Sequence, residues 1–422
     1  MSIQSISTVI HLLFTAVVSF NIDIVTRIIQ HGNPRSHFGY SVDLYHGPDG
    51  NWILVGAPKA NTIQTGVHEG GAVYKCSAEH VHCAALPFDI TGHNKRLNGS
   101  IQLQADSKSE QWFGATVKST PTGDRIIACA PRYTFFYSTF DKKDPVGTCF
   151  MVENHDFHGN SVKEFSPCRQ EKKWGFHRLG FCMAGYSAAL PAEGQRFFLG
   201  APGAYYWQGA LVQQLADDPQ HVRISREGPE HHDDRYMGYA ITTGDFDSDG
   251  MPDVAIGAPK GHDLLGVVAL YDTYMANILN FTGVQEGSYF GSSLASGDVD
   301  GDGLDDIIVG APLFTVHRSE KGSLKSQYEV GRAYVYLQGE HFVFGRRHEL
   351  ELPTGNGLQE WARFGSAVAF VGDLNGDGYG DVAIGAPYAG PNRNGVVCIF
   401  SGSKDSIRVT PTQVIYAEDV EH

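Results

Sequence analysis

Six times along this chain an apolar residue beside a glycine is followed, 15 to 20 residues later, by a glycine or cysteine leading into Ala-Pro. The copies are Phe38-Gly39 with Gly56-Ala57-Pro58, Phe113-Gly114 with Cys129-Ala130-Pro131, and Gly185-Tyr186 with Gly200-Ala201-Pro202. Met237-Gly238 with Gly257-Ala258-Pro259, Phe290-Gly291 with Gly310-Ala311-Pro312, and Phe364-Gly365 with Gly385-Ala386-Pro387 follow. A repeat of this size is one supersecondary unit that cannot bury its own apolar faces, so the copies must pack on one another. Short apolar runs within a copy, such as Val254-Ala255-Ile256 and Ile307-Ile308-Val309, are bounded by Asp and by Gly-Ala-Pro, the pattern of a strand covered on both faces. A further segment opens on Gly and alternates small apolar with aromatic residues, as in Gly331-Arg332-Ala333-Tyr334-Val335-Tyr336. Each copy therefore reads as a small antiparallel sheet, and the Ala-Pro spacing of 53 to 75 residues puts the length differences into loops. Radial packing of such sheets is a β-propeller; a linear β-solenoid is the competing all-β arrangement and suits long unequal loops less well. Composition agrees, since 50 Gly and only 19% charged residues in 422 favour turns and strands over long helices.

Three copies add an acidic loop between their first two strands: Asp245, Asp247, Asp249 and Asp253; Asp298, Asp300, Asp302 and Asp306; Asp373, Asn375, Asp377 and Asp381. Oxygen side chains fall at loop positions 1, 3, 5 and 9, with Gly at position 6 for a sharp turn and the carbonyls of Met251, Leu304 and Tyr379 available at position 7. That is a cage for a hard cation, and calcium is the natural occupant at three sites. An EF-hand is excluded because its position-12 Glu would fall on Ile256, Val309 and Ile384, inside strands. A closed oxygen cage ties down a turn and leaves no open position for catalysis, so the metal reads as structural.

The compartment follows from the first residues and the cysteines. Residues 1–19 hold no Lys, Arg, Asp or Glu and carry the apolar run Val9 to Val18, the core of a signal peptide, which places the mature start near Phe20 and the protein outside the cell. Pairing each cysteine with its near neighbour gives Cys76–Cys83, Cys129–Cys149 and Cys168–Cys182; six cysteines allow other connectivities, and the spacing alone does not choose among them. Cys398, within Val396-Val397-Cys398-Ile399-Phe400, is left as a buried free thiol. Asn98-Gly99-Ser100 and Asn280-Phe281-Thr282 are glycan acceptor sequences. A formal net charge of −15 excludes nucleic acid and anionic lipid as partners. No Gly-x-Ser-x-Gly elbow, P-loop or zinc-ligand spacing occurs, so the expectation is a non-enzyme.

Taken together, the Phe-Gly and Gly-Ala-Pro motifs and the nine-residue Asp loops resemble the FG-GAP β-propeller at the head of integrin α subunits. The likeness covers residues 20–415 and includes Phe20-Asn21-Ile22-Asp23, Gln111-Trp112-Phe113-Gly114 and Tyr206-Trp207-Gln208-Gly209. It implies an extracellular, calcium-binding, non-catalytic receptor subunit that pairs with an integrin β subunit and binds a matrix protein. It also implies seven blades, whereas six repeats are present. Residues 416–422 then read as a truncated end, with the seventh repeat, leg domains and a membrane helix absent, a gap in the ring, and the stretch from Ile22 to Ile29 belonging to the missing blade.

Roles carried over from the family fall on matching positions. Aromatics flanking the apolar-Gly turns, Tyr40, Trp112, Tyr186 and Tyr239, would cup a basic side chain of the β subunit, while Ser292 and Ser366 break the pattern in the fifth and sixth repeats and make that contact lopsided. In the subgroup that recognises Arg-Gly-Asp, an acid just before the fourth repeat receives the ligand arginine; here that is Asp233, with Tyr206 as an aromatic wall. A second acid found in some members is replaced by His177 and Arg178, which keeps a laminin-type specificity open. Residues 133–178 leave no room for an inserted ligand-binding domain. The alternatives are a secreted decoy, or the accessory propeller of a secreted hydrolase.

Overall fold

The six apolar-Gly turns share one backbone shape. The residue two positions before each turn glycine, His37, Trp112, Met183, Tyr236, Tyr289 and Arg363, is left-handed, with φ between 53° and 62°, and the glycines themselves have φ between 87° and 101°. The second position is one that a side chain rarely adopts, which is why glycine stands there. Each of these glycines donates its N–H to the carbonyl of the glycine or cysteine of its own Ala-Pro motif, from Gly39 to Gly56 at 3.1 Å through to Gly365 and Gly385 at 3.0 Å. The two halves of the repeat motif are thus the two ends of one hydrogen bond.

In the computed structural model, which describes residues 22–138, 142–157, 161–320, 323–339, 342–352, 359–404 and 406–420, every copy is a four-stranded antiparallel sheet. The expected signal peptide, with Phe20 and Asn21, lies outside these residues. Sheet 1 comprises Ser41–Gly47, Gly50–Ala57, Ala72–Ser77 and Cys83–Ala85. Sheet 2 comprises Thr116–Ser119, Arg125–Ala130, Thr148–Glu153 and Val162–Phe165, and sheet 3 Ser187–Ala189, Arg196–Ala201, Ala210–Leu215 and Val222–Ile224. Sheet 4 comprises Ile241–Gly244, Asp253–Ala258, Val267–Tyr271 and Asn277–Thr282. Sheet 5 comprises Ser293–Gly297, Asp306–Ala311, Arg332–Leu337 and Arg346–Leu350, and sheet 6 Ala367–Gly372, Asp381–Ala386, Val396–Phe400 and Gln413–Tyr416. First strands of consecutive sheets lie side by side, and the fold is a β-propeller of FG-GAP-type repeats. Length differences go into appendages, such as the hairpin Lys95–Gln104 and the pair Val316–Glu320 and Ser323–Gln327.

Sheet-to-sheet packing explains the rest of the motif. A Cβ on Gly56 would lie 1.9 Å from the Gly114 carbonyl oxygen of the next copy, and Gly200, Gly257 and Gly310 meet Gly238, Gly291 and Gly365 in the same way at 1.9 to 2.1 Å. First-strand hydroxyls stitch the same seam: Ser41 to the Gly114 carbonyl, Thr116 to that of Tyr186, Ser187 to that of Gly238, and Ser293 to that of Gly365, at 2.8 to 2.9 Å. The fourth copy has Ala240 at this place, and Thr242 with Ser296 at 2.7 Å joins sheets 4 and 5 instead. The apolar cores sit between sheets, for example Phe198 and Leu211 of sheet 3 against Ile241, Val254 and Ile256 of sheet 4. All six residues of Asp253–Ala258 and of Asp306–Ala311 are buried, as strands covered on both faces must be.

The sixth copy differs. In Asp381–Ala386 two positions are only half-buried, and a Cβ on Gly385 would meet nothing nearer than the Ala367 Cβ at 3.6 Å. On the first strand of sheet 1, Val42 and Leu44 are exposed. The stretch from Ile22 to Ile29, assigned by resemblance to a blade outside these six copies, forms no strand here and runs from sheet 6 to sheet 1. Ile22 exchanges hydrogen bonds with the Gln413 side chain at 2.6 and 3.1 Å, and Gln30 Nε2 donates to the Ser77 carbonyl at 2.9 Å. The residues named as a truncated end include Tyr416, which finishes the outer strand of sheet 6, and the short helix Ala417–Val420; His422 lies outside the described residues.

The three near-neighbour disulfides are formed, Cys76–Cys83, Cys129–Cys149 and Cys168–Cys182, and Cys398 is a buried free thiol whose pKa burial pushes up to about 12. Among the described residues no helix is long and apolar enough to cross a membrane.

Candidate functional site

The acidic loops follow the first strands of sheets 4, 5 and 6, and the apolar-Gly turns precede those strands, so the two features occupy opposite ends of the propeller. All three loops fold by the same hydrogen bonds. The position-1 carboxylate accepts the N–H groups of positions 5 and 6: Asp249 and Gly250 on Asp245, Asp302 and Gly303 on Asp298, Asp377 and Gly378 on Asp373, at 2.8 to 3.2 Å. The position-9 carboxylate accepts the N–H of position 2, Phe246 to Asp253 at 3.0 Å, Val299 to Asp306 at 2.8 Å and Leu374 to Asp381 at 3.0 Å. At position 5, Asp249, Asp302 and Asp377 each accept the N–H of position 7, from Met251, Leu304 and Tyr379.

This folding drives like charges together. Oxygens of Asp245, Asp247 and Asp253 converge within 4.8 Å of one another, as do those of Asp298, Asp300 and Asp306. Burial first, then neighbouring carboxylates, raise Asp253 and Asp306 to about 7, although both accept backbone N–H groups that pull the other way. Asp300 is 5% exposed, and its Oδ1 has no hydrogen-bond donor. A buried, unpaired acceptor among converging carboxylates fits a hard divalent cation, which would supply the missing positive charge. The third loop has Asn375 in place of an acid, its Oδ1 accepting the Asp377 N–H at 2.8 Å, and its Asp373 is held below the usual carboxylate range by the Gly378 N–H.

At the other end, the rings of Tyr40, Trp112, Tyr186 and Tyr239 lie near one another. Tyr40 meets Trp112 edge-on at 5.4 Å, Tyr186 meets Tyr239 at 5.0 Å, and Tyr40, Trp112 and Tyr186 line a cavity of about 310 Å³ with Arg132. Tyr289 joins them, 5.5 Å from Tyr239, so the fifth repeat contributes an aromatic after all, from the residue before its apolar-Gly pair. The signal was present, since Trp112 stands at the same place in the second repeat. Burial raises the hydroxyl pKa of Tyr40, Tyr186 and Tyr289, the last to about 12, so these rings stay neutral and electron-rich at physiological pH.

Asp233 and Tyr206 are also brought together. Three consecutive left-handed residues, Tyr205, Tyr206 and Trp207, turn the chain after the third Gly-Ala-Pro, and the carbonyls of Tyr206 and Trp207 accept the N–H groups of Asp234 and Tyr236 at 3.1 and 3.0 Å. Gln208 Nε2 donates to Asp233 Oδ1 at 2.8 Å and fixes that carboxylate. Tyr206 is 41% exposed and packs edge-on to Phe176 at 5.5 Å, which in turn stacks on Trp207. Phe176 was not anticipated, because only the loop closed by Cys168–Cys182 carries it there. His177 lies edge-on to Trp174 and Phe176, and Arg178 is 3.5 Å from Glu227 at the surface. Asn98, at the tip of the Lys95–Gln104 hairpin, and Asn280, on the outer strand of sheet 4, are both exposed.

Comparison with known proteins adds to this geometry. The FG-GAP repeat family matches residues 237–271, 290–336 and 364–400, the three repeats that carry acidic loops. The chain is 43% identical to integrin alpha pat-2 of Caenorhabditis elegans over 97% of its length and 34% of the relative's. It is 40% identical to integrin alpha-PS2 of Drosophila melanogaster over 98% of its length and 31% of the relative's, and 38% identical to human integrin alpha-8 over 96% and 38%. The chain thus spans about a third of the length of these relatives. It therefore carries FG-GAP repeats and is similar, along most of its length, to the integrin α subunits.

Proposed function

We propose that this chain is the ligand-binding head of an integrin α subunit at the cell surface, that it pairs with a β subunit, and that it recognises Arg-Gly-Asp-type ligands of the extracellular matrix. The observation that carries the reading is that the Asp234 N–H binds the Tyr206 carbonyl, which sets Asp233, its carboxylate fixed by Gln208, on the segment beside the exposed Tyr206. A guanidinium meets a carboxylate through paired N–H donors and lies flat on aromatic faces, so acid and ring together suit a ligand arginine. The aromatic ring of Tyr40, Trp112, Tyr186, Tyr239 and Tyr289 is a separate site for a cation of the β subunit, of the kind neutral tyrosines and tryptophan attract. Calcium in the three acidic loops, through Asp245, Asp247, Asp249, Met251 and Asp253 and their counterparts, stiffens the opposite end and takes no part in chemistry. Glycans on Asn98 and Asn280 fit their exposure.

The test pairs a receptor containing this head with a β subunit and measures affinity for an Arg-Gly-Asp peptide. Asp233→Ala should weaken binding about 10- to 100-fold, the equivalent of one charge-assisted contact of about 1.5–3 kcal/mol. Unchanged affinity would remove Asp233 from the site and favour a laminin-type ligand.

A further inference from the structure

The three acidic loops are not separate devices. The carboxylates at position 9 of loops 4 and 5, Asp253 and Asp306, are joined by an unbroken run of three hydrogen bonds through residues that ligate nothing. Asp306 Oδ1 accepts the backbone N–H of Gln338 at 2.8 Å, the Gln338 side-chain Nε2 donates to the Phe246 carbonyl at 3.0 Å, and the Phe246 N–H donates to Asp253 Oδ2 at 3.0 Å. Gln338 is 4% exposed, so water does not compete for these bonds. A second bridge runs beside it: Asp305, at position 8 of loop 5, accepts the N–H of Asp245, position 1 of loop 4, at 2.9 Å.

At the two corresponding places one sheet further on, loops 5 and 6 approach closely through backbone, with glycine where the side chains of Asp305 and Gln338 stand. Gly380, at position 8 of loop 6, comes so close to loop 5 that a Cβ there would lie 2.3 Å from the Asp298 carbonyl oxygen. Gly402 stands where Gln338 stands in sheet 5, and a Cβ on it would lie 2.1 Å from the carbonyl of Val299, the counterpart of Phe246. Two loops that share buried hydrogen bonds cannot settle independently, so a ligand that orders one lowers the cost of ordering the next.

We propose that Gln338 and Asp305 are positioning residues that couple the cation loops, so that a divalent cation in loop 5 strengthens binding in loop 4, and the reverse by the same factor. The inference rests on the calcium reading of these loops. Its test is calorimetric calcium titration of the full chain in which Asp377→Ala silences loop 6, leaving two sites to read. Silencing loop 5 with Asp300→Ala, which removes the ligand oxygen, should weaken loop 4 about tenfold, the scale on which groups behind metal ligands act. Gln338→Met removes the side-chain donor while the Phe246 carbonyl keeps the Phe342 N–H at 2.9 Å, so the fold is retained. In that variant Asp300→Ala should no longer affect loop 4. Asp305→Ala should weaken loop 4, and Asp305→Asn, which keeps an acceptor for the Asp245 N–H, should restore it. Two sites that bind calcium with the same affinities whether or not the other is silenced overturn the coupling and leave the calcium reading standing; no calcium uptake by the unmodified chain overturns both.

Discussion

Stripping the cation should make this protein more stable in mild acid than in mild base. Asp306 is fully buried and ionises at about 7 in the folded chain, because burial and then Asp300 and Asp302 oppose its charge; in an unfolded chain an Asp ionises near 3.9. The folded state therefore holds a proton that the unfolded state has lost, and stability falls as pH rises from about 4 to about 7. A displacement of about three pH units at about 1.36 kcal/mol each gives a penalty of about 4 kcal/mol once the pH exceeds 7. With an unfolding entropy of about 2.1 cal/mol/K for each of ~400 residues, that is a fall of about 5 °C in melting temperature if the ring melts as one unit. The assay is scanning calorimetry of metal-stripped protein between pH 5 and pH 8, repeated on Asp306→Asn. The neutral amide should raise the metal-free melting temperature at pH 8 and leave it unchanged at pH 5, which separates the local effect from that of the overall charge of −15. Saturating calcium should reverse the slope for the unmodified chain, since protons then compete with the cation. A metal-free melting temperature that does not respond to pH, or an Asp306→Asn variant that responds like the unmodified chain, would refute the reasoning.

The seam between sheets gives a paired test: Gly310→Ala drives a Cβ to 2.1 Å from the Gly365 carbonyl and should cost more than about 3 kcal/mol, whereas Gly385→Ala meets only Ala367 at 3.6 Å and should be nearly silent in chemical denaturation. Equal effects would mean that the seam does not hold the sheets together. Tyr239→Ala, which removes the ring between Tyr186 and Tyr289, should reduce co-purification with a β subunit without lowering the melting temperature of the head by more than a few degrees. Asn98→Gln and Asn280→Gln should each remove one glycan, read as a step in electrophoretic mobility of the secreted chain; no step for Asn98 would remove that site.

Much of this was legible in the sequence because the repeat is read six times. Phe-Gly and Gly-Ala-Pro recur as a pair because the glycine N–H of one must reach the carbonyl of the other across a hairpin, and only the length of that hairpin varies. The acidic loops were legible for a similar reason, since nine residues fold on themselves through their own N–H groups. Tyr289 stands before its apolar-Gly pair, as Trp112 does, and the position after that pair is Ser292, which hides the aromatic of the fifth repeat. Phe176 could not be seen, since its neighbours Tyr206 and Trp207 lie about thirty residues away in sequence and meet it only through the folded loop. The Ile22 to Ile29 stretch carries no periodic pattern of its own, and where it lies is decided by Gln413 and Ser77, at opposite ends of the chain.

What the sequence determined by itself is local: the turn that only glycine can make, the strand that Val, Ile and Ala can fill on both faces, and the loop in which Asp carboxylates gather N–H donors from their own next five residues. What tertiary structure alone decided is every relation between copies. Gly56 lies under Gly114, Gln338 links Asp306 to Asp253, and five aromatic rings from five repeats converge on one rim. Hydrogen bonds within a turn are fixed by chain connectivity, whereas contacts between sheets depend on how far each sheet rotates against the next, and that angle is set by close packing that no stretch of sequence encodes alone.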